Sequence, residues 1–156
     1  MQRRLALPLL LATVLAACGT APPRVREPVE SRLSPDAASD VAVHALGLVG
    51  TPYRYGGNTP DGGFDCSGLI GYVYRHGMTP VLAPRTVAQL AGWGAGVDRD
   101  ALRTGDLVVF GSRATHAGIY VGEGRFVHAP STGGTVRLDR LDGVYWARQP
   151  VAFRRP

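Results

Sequence analysis

The sequence predicts an α+β domain in which helices come first and an antiparallel sheet follows. Between Ser34 and Gly77, apolar residues recur at helical spacing in two runs, each opened by a capping residue and stopped by a glycine. From Asp106 onward, short β-branched or aromatic runs alternate with glycine and charged turns. The two patterns are segregated along 156 residues of 45% apolar content, which fits a single domain with its helices on one face of a five- to six-stranded, mainly antiparallel sheet.

Residues 1–17 read as an export leader. Arg3 and Arg4 supply a positive start, Leu5 to Leu15 an apolar run interrupted by Pro8, and Leu15-Ala16-Ala17-Cys18 the closure. The run falls well short of the ~20 apolar residues that span a bilayer. The closure resembles the bacterial lipobox, which implies cleavage before Cys18, lipid on its sulfur, and, with Gly19 next, anchoring at the periplasmic face of the outer membrane. Residues 18–34 carry three prolines and five charges without helical or strand period and read as a flexible tether, leaving 35–156 as the folded domain.

Ser34-Pro35-Asp36 offers an N-cap, a proline at the first helical position and an early acid; Val41, Ala45, Leu48 and Val49 carry that helix to a stop at Gly50. The glycine- and proline-rich stretch up to Gly63 reads as a loop. A second helix starts at Asp65-Cys66-Ser67, runs through Leu69, Ile70, Val73 and Tyr74, and stops at Gly77; a short third one covers Pro84 to Ala91. Gly92 to Thr104 reads as a crossing loop. Strands are predicted over 107–110, 118–122, 125–129, 135–138 and 150–154.

All 17 basic residues are arginine, so Schiff bases, Ser-Lys dyads and lysine-bearing phosphate loops are excluded. With two cysteines and no Cys-x-x-Cys pair, zinc ribbons and thioredoxin-like sites are excluded as well. No histidine pair joins a third ligand at metal-site spacing, so neither metal nor cofactor is expected. The net charge of +5 suits an anionic polymer as partner, and no nucleic-acid partner is expected.

If Cys18 is lipidated, Cys66 has no disulfide partner in its own chain, although the leader sends the chain to an oxidising compartment. Asp65 places Cys66 in the first turn of a helix, where the dipole and unpaired N–H groups favour a thiolate and could receive an oxyanion. A depressed thiol pKa is therefore expected. Gly68 is read as leaving room for a substrate. Of the four histidines, His44 and His76 sit on helices and read as structural. His116 and His128 flank a tight turn. Taking Gly122-Glu123-Gly124 as a three-residue hairpin loop sets Val121 against Arg125 and Gly118 against His128, which puts His116 on the same face as His128, diagonally and about 7–8 Å away at the backbone. A two-residue loop would instead send the two rings to opposite faces. The resulting candidate set is Cys66 as nucleophile, His116 as base and then acid, and His128 as the ring that orients His116.

At these residues the chain resembles the NlpC family of bacterial cell-wall cysteine peptidases. The matching segments are Thr51-Pro-Tyr-Arg-Tyr-Gly-Gly, Phe64-Asp-Cys-Ser-Gly-Leu, Thr104-Gly-Asp-Leu-Val-Val-Phe, His116-Ala-Gly-Ile-Tyr-Val-Gly and Phe126-Val-His-Ala-Pro. The resemblance implies a papain-like fold, a Cys-His-His triad matching Cys66, His116 and His128, and a Tyr53 that lines the site and aids oxyanion binding. It implies cleavage of peptidoglycan stem peptides next to diaminopimelate, at the D-alanyl cross-link or the D-glutamyl bond. Arg85 is the candidate partner for a substrate carboxylate, with Asp65 and Ser67 as further substrate-binding candidates. An acyltransferase or amidase on the same fold and a non-catalytic wall-binding lipoprotein stand as alternatives. Whether a regulatory or degradation partner acts on the chain is left open.

Overall fold

The computed structural model describes residues 31–78 and 80–156. The leader, Cys18 and most of the predicted tether lie outside the described residues. The last residues of that segment belong to the folded body. Ser31 Oγ and the Arg32 N–H both donate to the Pro156 carbonyl, at 2.9 and 3.0 Å, and Leu33 is buried in the core. Ser31 to Leu33 thus pack with the same body as the helix that follows them.

Helix α1 spans Pro35–Gly47, with Ser34 accepting the Ala37 N–H as N-cap. It ends two residues short of the predicted Val49. A two-stranded hairpin, β1 (Asn58–Thr59) and β2 (Gly63–Phe64), forms inside the stretch read as a loop. Helix α2 spans Cys66–His76 with Asp65 as its N-cap, as its sequence signals indicate. Helix α3 is only Val87–Leu90, because Thr86 rather than Pro84 supplies the cap, its side chain accepting the Gln89 N–H.

The main sheet is antiparallel with order β3-β8-β4-β5-β6-β7. Its strands are β3 (Ala95–Val97), β4 (Leu107–Phe110), β5 (His116–Gly122), β6 (Arg125–His128), β7 (Arg137–Arg140) and β8 (Val151–Arg155). The predicted crossing loop therefore contains an edge strand, β3. The fourth predicted strand lies two residues later than expected, at 137–140 instead of 135–138.

Alternation along the strands builds two apolar layers. Leu107, Val109, Ala117, Ile119 and Val127 pack against Val41 and Ala45 of α1 and Leu69, Ile70 and Val73 of α2. The other face carries a smaller cluster of Val108, Phe110, Phe126, Leu141, Trp146 and Phe153. A buried ion pair crosses the sheet's far end, where Arg155 Nε and Nη2 donate to the two carboxylate oxygens of Asp106 at 2.9 and 2.7 Å. His116 and His128 project on the second face, at the end of the sheet where α2 begins.

Candidate active site

The β5-β6 hairpin decides whether the two histidines meet. Its loop has two residues, since Gly122 pairs with Arg125 and both Glu123 and Gly124 have positive φ, 51° and 71°. This corrects the expected three-residue loop. Alone, such a loop would put the rings on opposite faces, but a bulge between Tyr120 and Gly122 adds one residue to β5 and restores the other register. Ile119 then pairs with Val127 and Tyr120 with Phe126. His116 Nε2 consequently lies 2.9 Å from His128 Nδ1.

The thiol stands at the start of α2, near the backbone amide of Ala117, the residue that follows His116. Asp65 fixes the start of α2, with Oδ1 accepting the Gly68 N–H at 2.6 Å and Oδ2 the Gly56 N–H at 3.0 Å. Cys66 is a free, partly buried thiol, and the N–H of Ala117, the residue next to His116, is close enough to favour its thiolate. Its own N–H and that of Ser67 also favour the thiolate. Burial nevertheless pushes the thiol pKa up, and the Asp65 charge adds to this against the three N–H groups. The expected depression of the thiol pKa is thus corrected: the resting site holds a neutral thiol.

Both imidazoles are neutral too. Burial, then the neighbouring His128 and Arg137, lower His116 to about 3. Burial lowers His128 to about 4 even though Asp139 opposes it. Gly68 serves packing rather than substrate access, since a Cβ there would lie 1.9 Å from the Gly57 carbonyl oxygen. The glycine that gives the site room is Gly118, where a Cβ would lie 2.8 Å from Phe126 and from the Val127 carbonyl, and 3.1 Å from the His128 Cβ.

The three substrate-binding candidates touch one another. Arg85 forks onto Asp65 at 2.8 and 2.9 Å, and its Nη1 also donates to Ser67 Oγ at 2.6 Å. Ser67 in turn donates to Asp65 at 3.1 Å. Burial raises the Asp65 carboxyl, but the Arg85 and Gly68 hydrogen bonds outweigh it and hold it below its ordinary value. About half of the Arg85 side chain stays exposed. Burial raises the Tyr53 phenol pKa, and the nearby Cys66 and Asp65 add to this. It also borders a groove of about 580 Å³ formed with Arg54, Tyr55 and residues 132–135. A larger cavity of about 770 Å³, between the start of α1 and the β5-β6 turn, lies away from the thiol.

Two groups around the histidines escaped the sequence reading. Asp139 Oδ2 sits 3.0 Å from His128 Nε2, and Trp146 stacks on His116 with ring centres 5.4 Å apart. The signal existed in principle: with β7 placed at 137–140, Asp139 faces Phe126 and lies diagonal to His128. A strand ending at Leu138 hid it.

A helix that opens on a cysteine, packed on an antiparallel sheet that carries paired histidines, is the arrangement of papain-like folds. The match to known proteins narrows this to one family: residues 50–155 fit NlpC/P60, and the chain belongs to that family. It is 39% identical over 125 residues to the murein DD-endopeptidase MepH of Escherichia coli, covering 76% of this chain and 46% of that protein. It is 42% identical over 110 residues to the probable endopeptidase NlpC of E. coli, covering 68% of this chain and 70% of the relative. Among solved structures, an NLP/P60-family protein from Staphylococcus aureus, described as similar to a lipoprotein, superposes with TM-score 0.69 at 28% identity, covering 81% of this chain and 43% of that one. The chain thus spans less than half the length of MepH and of the staphylococcal protein.

Proposed function

We propose that the chain is a thiol endopeptidase that cleaves peptidoglycan stem peptides next to diaminopimelate, at the D-alanyl cross-link or the D-glutamyl bond. The observation that carries this reading is a free thiol at the start of α2, near the amide next to His116, with His128 bonded to that ring. The endopeptidase names of the relatives and the murein named for MepH support the reaction class and the substrate.

As Cys66 Sγ attacks the carbonyl carbon, its proton passes to His116, and the carbonyl oxygen becomes an oxyanion beside the N–H groups at the start of α2 and Tyr53. His116 then returns the proton to the leaving amine as the C–N bond breaks, leaving a thioester on Cys66. Water, deprotonated by His116, attacks the thioester and releases the acid and the thiol. Neutral thiol and imidazole at rest mean that charge separation develops only along this path. The stem peptide lies in the groove beside Tyr53, and the exposed part of Arg85 receives one of its carboxylates. Lipid on Cys18 holds the domain at the membrane, close to its substrate.

The test is mass spectrometry of cross-linked muropeptides incubated with the protein and with Cys66→Ala. Fragments formed only with the intact thiol are expected, and their masses name the bond. Equal products from both proteins, or none from either, would reject the reading.

A further inference from the structure

Asp139 Oδ2 is the meeting point of an unusual number of donors. It lies 2.7 Å from Trp146 Nε1, 3.1 and 2.9 Å from Arg137 Nε and Nη2, and 3.0 Å from His128 Nε2. Indole and guanidinium nitrogens can only donate. An oxygen receiving those three N–H groups has no room for a proton of its own, so Oδ2 faces His128 as an acceptor only. Burial would raise the Asp139 pKa, but the Trp146, His128 and Arg137 contacts hold it below the ordinary value, in agreement with the geometry.

The consequence runs through both rings. His128 is fully buried, so its tautomer is set by its partners rather than by water. Facing a carboxylate, His128 must carry its proton on Nε2. A neutral His128 then offers a lone pair at Nδ1, and His116 Nε2, 2.9 Å away, must donate to it. His116 is left with its lone pair on Nδ1, the nitrogen turned away from His128. Were His128 free to choose, the opposite direction would serve equally well: Nδ1–H donating to His116 Nε2, which would put the His116 proton on Nδ1 and remove the base.

We propose that Asp139, held by Arg137 and Trp146, is a positioning residue that fixes the direction of the His128–His116 hydrogen bond and so makes His116 Nδ1 the basic atom of the site. Trp146 adds a mechanical element, since it stacks on His116 and meets His128 edge-on with ring centres 5.1 Å apart while donating to the carboxylate that orients them. Among the described residues, the charged groups that act on the two rings are each other, Arg137 and Asp139, and Cys66, on the helix side, is the titratable group that the proposed reaction brings to His116. The kinetic part of this proposal rests on Cys66 and His116 acting as nucleophile and base; the tautomer assignment does not.

Long-range 1H–15N correlation of the histidine-labelled chain near pH 7 tests it directly. The expected spectrum has His116 protonated on Nε2 with a pyridine-like Nδ1, and the same pattern in His128. Asp139→Ala is expected to give mixed or reversed tautomers, with kcat on muropeptides about 10- to 100-fold lower and KM within about twofold. Asp139→Asn keeps an acceptor toward Arg137 and Trp146, so it should retain the wild-type tautomers and recover part of kcat. A wild-type His116 protonated on Nδ1 would overturn the proposal whether or not any variant folds. So would an Asp139→Ala protein, folded by circular dichroism, whose tautomers match the wild type. Absence of any Cys66-dependent cleavage would count against the peptidase reading alone, because the tautomer measurement stands apart from activity.

Discussion

Two buried neutral histidines make the fold sensitive to mild acid. In the unfolded chain each titrates near 6.5, whereas burial lowers them to about 3 and about 4 in the folded protein. Between these values the unfolded state binds protons that the folded state refuses, so stability falls as pH drops below 6.5. At pH 4.5 each histidine sits about two pH units below its unfolded value, worth roughly 2.7 kcal/mol, and the pair therefore removes up to about 5 kcal/mol. Against a typical domain stability of about 5–15 kcal/mol this is a large share. Asp65 and Asp139 have depressed pKa values and hold their contribution down to about pH 4, so the window from 6.5 to 4.5 isolates the histidines. Urea unfolding at pH 7.0 and 4.5 is the assay. With an m-value of about 2 kcal/mol/M the midpoint should fall by up to about 2.5 M, and a His116→Gln, His128→Gln double variant should lose most of that pH dependence. A wild-type midpoint that moves by less than about 0.5 M, or an equal shift in the double variant, would refute the assignment of the acid sensitivity to this pair.

Other consequences are as direct. Gly118→Ala forces a Cβ against the Val127 carbonyl at 2.8 Å, so it should displace His128, abolish activity and lower stability by about 1–3 kcal/mol in denaturant melts. Asp106→Ala leaves the buried Arg155 guanidinium without its carboxylate and should lower stability by about 3–5 kcal/mol, while activity at low temperature changes little. Because burial raises the Cys66 pKa, its alkylation by iodoacetamide should climb about tenfold per pH unit from 6 to 8. A fast plateau below pH 7 would instead mean a resting thiolate.

Much of the frame was legible because it rests on local chemistry. Ser34-Pro35 and Asp65 cap their helices as their types dictate, and the β-branched runs after Asp106 pair as strands. The pairing of His116 with His128 was legible for a less secure reason. The expected turn was wrong, and a bulge around Val121 supplied the residue that the shorter loop lacked. Nothing in Tyr-Val-Gly announces a bulge, since its origin is tertiary. The same holds for β3, whose Ala95-Gly96-Val97 has no period of its own and becomes a strand only by pairing with Arg155 to Phe153. The thiol pKa was misjudged because the helix start is visible in sequence whereas burial beneath the Ala117 amide is not. Asp139 was missed because its partners, Trp146, Arg137 and His128, converge only once the register of β7 is known.

In the proposed mechanism Cys66 forms a thioester that water resolves. Digestion of a cross-linked muropeptide in 18O-water, with mass analysis of products and of protein quenched in acid, tests it most directly. One 18O atom is expected in the newly formed carboxyl group, with a transient adduct on the peptide that carries Cys66. Products without 18O, or cleavage that persists in Cys66→Ser without any adduct, would contradict it.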